Sequence, residues 1–201
     1  MNLTLPIVYL LRHGETAWTL TAQHTGRTDL PLNEQGERQA RGVGTRLTTL
    51  RFDHILSSPL KRARRTAELA MPNSQVEADD DLMEWDYGAY EGRSTVDIEM
   101  ERPGWRLFRD GCPGGETLDF VRARADRVIG RIRARGGNVV VVAHREILRI
   151  FAVRWIGLAA IEGRRLLLAT ASLSVLGYDH DLTEPVIHAW NGHGTTMAVT
   201  Q

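Results

Sequence analysis

Short apolar runs alternate along the chain with stretches in which apolar residues recur every three or four positions. Ile7 to Leu11 is a compact apolar run that ends abruptly at Arg12-His13-Gly14, and it predicts a buried strand. Asn33 to Leu50 predicts a helix: Asn33 stands at an N-cap position, and Glu34 and Glu37 suit the positive end of the helix dipole. His54 to Ser57 reads as a second short strand. A helix from Pro59 to Met71 follows it, with Pro59 near the first turn and Pro72 just past the end. Glu116 to Arg135 predicts a longer helix, stopped by Gly136 and Gly137. Asn138 to Ala143 is an unbroken apolar run, the mark of a strand buried on both faces. A helix over Glu146–Ile156 and two strands, Ser172–Tyr178 and Pro185–Trp190, complete the pattern.

This alternation of strands and helices implies an α/β fold around a mostly parallel sheet, with an antiparallel edge strand supplied by the tail. No repeat, low-complexity tract or linker interrupts the chain, so residues 1–201 are expected to form a single domain. In open parallel sheets the ligand site lies outside the carboxyl ends of the strands. Two strands here end alike, one running into Arg12-His13 and the other into His144, so parallel neighbours would bring both imidazoles to one edge.

Charge narrows the function classes. The 25 basic residues balance 25 acidic ones, which argues against a protein that coats nucleic acid or anionic lipid. Cys112 is the single cysteine, so no internal disulfide can form. The opening apolar run, Leu3 to Leu11, is shorter than the roughly 20 residues a membrane span requires. A cytoplasmic protein with neither nucleic-acid nor membrane partners is expected. Lys61 is the lone lysine, leaving 24 of the 25 basic residues as arginine. Coding bias is the plain account of this excess; phosphate recognition by the planar guanidinium fork is the sharper one.

The blocks that carry chemistry come in a fixed order. Leu11-Arg12-His13-Gly14-Glu15-Thr16 is followed by Trp18, Thr25-Gly26 and Asp29-Leu30-Pro31-Leu32. Ser57-Ser58-Pro59-Leu60-Lys61-Arg62-Ala63 with Thr66-Ala67 comes next, then Glu84, Gly88 and Glu91-Gly92, then Val142-Ala143-His144. The series resembles the histidine phosphatase superfamily, which includes phosphoglycerate mutases. The segment around 103–116 and the tail around 172–178 are similar to its acid phosphatase and sedoheptulose bisphosphatase-like branch. The resemblance implies a three-layer, phosphoglycerate mutase-like sandwich. It also implies that His13 becomes phosphorylated while Arg12, Arg62 and His144 hold the phosphoryl group. Those residue types suit the chemistry: imidazole is a covalent nucleophile, and arginine offers bidentate bonds to phosphate oxygens.

Any of five carboxylates between Asp79 and Asp86 could act as general acid on chemistry alone. The resemblance singles out Glu84, and apolar Met83 and Trp85 beside it would raise its pKa. Glu15 is expected one step back, tuning Arg12 or its neighbours. Thr19, Thr25 and Gly26 are expected to supply hydroxyl and backbone donors, with Thr19 standing where many relatives have Asn. The runs Lys61–Arg65 and Arg122–Arg135 read as solvated faces, with Val121, Val128, Ile129 and Ile132 turned inward. His188 and His193 show no metal-ligand spacing, and no metal or other cofactor is expected.

One departure stands out in Arg145-Glu146, where relatives generally have Gly first. Arg145 would strain a backbone that needs positive φ; otherwise it points outward or reaches into the pocket toward a second anionic group. Residues 90–116 are expected to form a substrate-selecting lid, with Trp105 and Phe108 packing it down and Arg106 or Arg109 meeting a phosphate or hydroxyl. The expected activity is metal-independent hydrolysis of a phosphomonoester of a small metabolite, a sugar phosphate or bisphosphate. A phosphoglycerate mutase and a phosphate-binding pseudo-phosphatase are the rivals, and a homodimer is left open.

Overall fold

Six strands build one sheet in the computed structural model, which describes residues 5–193. Leu3 and Thr4 of the opening apolar run, and both ends of the expected 1–201 domain, lie outside the described residues. The strands are β1 (Val8–Arg12), β2 (His54–Ser57), β3 (Glu77–Ala78), β4 (Val139–Ala143), β5 (Leu173–Tyr178) and β6 (Pro185–Gly192), ordered β3-β2-β4-β1-β5-β6. Strands β1 to β4 pair in parallel, whereas β5 runs antiparallel to both β1 and β6. The sheet is therefore parallel except at the edge built by the tail, as the sequence pattern implied.

Among the described residues seven α-helices accompany it: α1 (Ala17–Leu20), α2 (Glu34–Leu47), α3 (Lys61–Ala70), α4 (Thr95–Glu101), α5 (Leu107–Asp110), α6 (Leu118–Arg135) and α7 (Arg145–Trp155). Successive strand residues face opposite sides, and β4 shows the consequence. Val139, Val141 and Ala143 pack with Val128, Ile132, Ile147 and Phe151 of α6 and α7. Val140 and Val142 pack on the other side with Val43, Leu47, Ala63 and Ala67 of α2 and α3. Full burial of each such valine contributes about 1.5–3 kcal/mol, so both faces need apolar residues and three layers result.

Several boundaries move. Helix α2 ends at Leu47 rather than Leu50, where the Thr45 and Thr48 hydroxyls turn back to donate to the carbonyls of Gly42 and Thr45. Helix α3 begins at Lys61, whose amide donates to Asp29 at 2.7 Å, a cap from a distant loop rather than from Leu60. The sequence pattern passed over β3, α1, α4 and α5. They are short, and their signals are local capping boxes, Thr16 with Thr19 before α1 and Ser94 with Asp97 before α4.

The 90–116 segment carries α4 and α5 over one end of the core. Trp105 stands edge-on to Tyr90 at 5.4 Å, and Phe108 lies 5.5 Å from Trp85, so both aromatics pack the segment down. Among the described residues no helix is long and apolar enough to cross a membrane.

Candidate active site

The parallel register pairs Arg12 with Ala143, so His13 and His144 leave adjacent strands at one level. Their rings lie 5.1 Å apart, centre to centre. His13 Nδ1 donates to the Gly14 carbonyl at 2.7 Å, which fixes the tautomer and leaves Nε2 with its lone pair. Burial, and then the nearby Arg62 and Arg12 charges, push the His13 pKa well below its ordinary value, so the ring is neutral. Gly14 has no positive φ. A Cβ there would meet the Gly36 carbonyl oxygen at 2.4 Å, so its smallness lets the loop lie against the start of α2.

Arg12 donates to the Leu168 carbonyl at 2.6 Å, while its Nε is buried without a hydrogen-bond partner. Desolvation and the Arg145 charge bring its pKa down to about 10, still charged at neutral pH. Arg62 and His144 are both fully buried. Arg62 donates to the carbonyls of Thr25, Gly26 and Thr28, and through Nε to His144 Nδ1 at 3.1 Å. His144 therefore carries its proton on Nε2, which bonds to the Ser58 hydroxyl at 2.8 Å. Burial and Arg62 lower its pKa well below the ordinary value. The His144 ring is therefore neutral.

Of the carboxylates between 79 and 86, Asp79 and Asp81 pair with Arg131, and Asp86 lies 3.9 Å from Arg27. Glu84 is buried instead, and its oxygens accept from the amides of Trp85, Glu146 and Ile147 at 2.9–3.2 Å. It sits against the first turn of α7. Burial first, then the Glu146 charge, raise its pKa against the lowering effect of those N–H donors.

A cavity of about 300 Å3 brings together Arg12, His13, Thr19, Thr25, Glu84 and Arg145. Several other expectations need correction. Thr19 lines the cavity, yet its hydroxyl closes the capping box, accepting from the Thr16 amide at 2.8 Å. The Gly26 amide points to Glu91 Oε1 at 2.6 Å, so Gly26 meets Arg62 with its carbonyl and offers the cavity no donor. Glu15 bonds Asn33 at 2.8 Å rather than tuning Arg12. Arg106 and Arg109 do not reach the cavity: Arg106 pairs with Glu99 on the exposed side of α5, and Arg109 with Asp110 at 2.7 Å. Arg145 is the first residue of α7 with no positive φ, so no strain arises; its side chain lines the cavity rather than facing away.

Residues the sequence reading passed over also shape the site. His24 stacks on Tyr87 at 4.7 Å and bonds Thr95 at 3.2 Å, and Glu146 joins the same wall. Arg124, assigned to a solvated face, is buried. It donates to the carbonyls of Asp81 and Met83 at 2.7 and 2.8 Å and pairs with Glu116 at 2.8 Å, clamping the segment that carries Glu84. A lone arginine among charged helix residues carries no local signal of this. The register of α6 against the 81–84 segment decides it.

A strand-end histidine pair, two arginines and a buried acid at a helix N-terminus thus gather at the carboxyl edge of a mostly parallel α/β sheet. Residues 8–192 match the profile of the histidine phosphatase superfamily (branch 1), and the chain belongs to that family. A phosphohistidine mechanism is general to this family, and its members named phosphatases are metal-independent phosphoric monoester hydrolases. An acid phosphatase of Mycobacterium tuberculosis is 36% identical over 193 residues, covering 94% of this chain and 95% of that protein. The sedoheptulose 1,7-bisphosphatase of Saccharomyces cerevisiae is 38% identical over 186 residues, 76% of this chain and 68% of that one. The solved structure of a Mycobacterium tuberculosis open reading frame superposes with a TM-score of 0.86 at 34% identity, covering 92% of this chain and 96% of that one.

Proposed function

We propose that the protein hydrolyses phosphomonoesters of small metabolites, sugar phosphates among them, with His13 as nucleophile and Glu84 as proton donor. The observation that carries this reading is the pairing, across one 300 Å3 cavity, of a neutral His13 with free Nε2 and a buried Glu84 of raised pKa. The His13 Nε2 lone pair forms a bond to phosphorus as the ester P–O bond breaks, and the Glu84 proton passes to the departing alkoxide oxygen. Glu84, now a carboxylate, takes a proton from water as that oxygen bonds phosphorus and the P–N bond breaks, releasing phosphate.

The buried, unpartnered Nε of Arg12 is a donor ready for the phosphoryl oxygens. Arg62 and His144 exchange their bonds to carbonyls and the Ser58 hydroxyl for the dianion, because charge-assisted hydrogen bonds are roughly twice as strong as neutral ones. The 90–116 segment acts as a substrate-selecting lid, and its shortness favours water over return of the phosphoryl group to a phosphoglycerate. The cavity volume lies at the small end of the roughly 300–1,000 Å3 usual for ligand pockets, which suits a metabolite as substrate.

Quenched-flow trapping with a labelled sugar phosphate tests the reading. Rapid formation and loss of phosphohistidine is expected, with labelling abolished in His13→Ala. Hydrolysis retained by that variant would overturn the mechanism. A persistent phosphoenzyme that donates to phosphoglycerate would instead identify a mutase, and no labelling a phosphate-binding protein.

A further inference from the structure

Glu91 takes no part in the phosphoryl-transfer steps, yet it is tied to the loop that supplies the partners of Arg62. Backbone pairing brings it there. The Gly92 amide donates to the His24 carbonyl at 2.9 Å, the His24 amide to the Arg93 carbonyl at 2.8 Å, and the Gln23 side chain to the Gly92 carbonyl at 2.6 Å. Residues 92 and 93 are thereby fastened alongside residues 23 and 24. From this position Glu91 Oε1 accepts from the amides of Gly26 at 2.6 Å and Thr28 at 3.2 Å. The approach requires glycine: a Cβ on Gly26 would lie 2.4 Å from the Trp85 carbonyl oxygen and 2.8 Å from Glu91 Oε2.

The same loop holds Arg62 by its carbonyls. Arg62 Nη1 donates to Thr28 at 3.0 Å, and Nη2 to Thr25 at 3.1 Å and to Gly26 at 2.8 Å. Gly26 and Thr28 therefore each give an amide to Glu91 and a carbonyl to Arg62, so one carboxylate fixes the segment that fixes the plane of the guanidinium. Charge is the lesser part of this link. Burial lowers the Arg62 pKa, and the charges of Glu84 and Asp29 oppose it more than that of Glu91 does. We propose that Glu91 is a positioning residue of the phosphoryl site: through residues 25–28 it holds the Arg62 fork in place before the dianion arrives. A donor set in advance costs no reorganisation when charge appears beside it. The inference rests on the phosphatase reading of the site.

The test measures orthovanadate affinity by calorimetry and kcat/KM for nitrophenyl phosphate in the wild type, Glu91→Ala and Glu91→Gln, each alone and combined with Arg62→Lys. Glu91→Ala should lower both quantities by about ten- to hundredfold, the range for a hydrogen bond to a charged group. Glu91→Gln should lose under about threefold, the low end for a neutral hydrogen bond, because its oxygen still accepts both amides. In the Arg62→Lys background Glu91→Ala should likewise cost under about threefold, since no planar fork remains to be aimed. A small effect of Glu91→Ala in the wild type, equal losses in Ala and Gln, or the same loss in both Arg62 backgrounds overturns the inference. Should Arg62→Lys fail to fold, the contrast between Ala and Gln decides by itself. Hydrolysis that continues unchanged in Glu91→Ala removes only the positioning role. A wild type that binds vanadate without hydrolysing any ester removes the phosphatase reading, and the vanadate affinities still judge Glu91. A wild type that does neither overturns both.

Discussion

Replacing Glu84 by Gln removes one titratable proton at nearly constant shape, and the surroundings of this residue allow both consequences to be worked out. Delivery of a proton by a positioned acid contributes about 10²–10⁴-fold to rate, or about 2.7–5.5 kcal/mol of barrier. That loss is expected in full for an alkyl phosphate, whose alkoxide needs the proton. It should be under about tenfold for nitrophenyl phosphate, whose leaving group departs without one. The appropriate measure is kcat/KM, which stops at transfer to His13 and excludes the later water step. Folding is checked in the same variant. Glu84 accepts three amide bonds, two at Oε1 and one at Oε2. The Gln oxygen can keep two, while its NH2 would face the third N–H, an unsatisfied contact costing about 1–3 kcal/mol.

The pH dependence runs the other way. The folded pKa of Glu84 lies above its ordinary value, so its contribution to stability is fully present at low pH and lost as pH rises through that folded pKa. Gln has no such dependence. The stability deficit of Glu84→Gln should therefore shrink from acidic to neutral pH in denaturant titrations. Equal losses of kcat/KM for both esters, or a deficit that grows with pH, would refute this account of Glu84.

Two further outcomes follow from the same geometry. The pH profile of kcat/KM should be bell-shaped and displaced to the acidic side: His13 stays neutral well below its ordinary range, and activity falls as Glu84 loses its proton above the usual carboxylate range; a profile still rising above pH about 8 contradicts it. Arg124→Met breaks a buried ion pair and leaves carbonyls of the Glu84 segment without donors, so a loss of about 3–5 kcal/mol is expected, or about 6–20 °C in Tm; a shift under about 2 °C in a thermal melt would show that Arg124 does not clamp this segment.

Much of the layout was legible from local pattern. The apolar run of β4 announces a strand covered on both sides, because a period of two leaves no polar position. The two strand-end histidines announce a shared edge, because parallel strands share a direction. Asn33 and the acidic first turn marked the start of α2 nearly to the residue. The short elements α1, α4 and α5 were less visible, since four to seven residues hold little periodicity and depend on the packing of Trp105 and Phe108.

What only the tertiary structure decided is the direction of each donor. Composition made 24 residues arginine and could not rank them. Three look alike in sequence as candidates for an anion, and folding separates them: Arg106 and Arg109 meet acids beside them on an outer turn, whereas Arg145 is carried by the start of α7 onto the cavity wall. Arg124, one charge among many on α6, turns inward because the helix register faces it toward Glu116 and the 81–84 carbonyls. Periodicity records whether a position is buried. Partners for the buried arginines of the site also come from segments 40 or more residues apart, as with Arg124 and Met83 or Arg62 and His144, and their meeting is a property of the assembled layers.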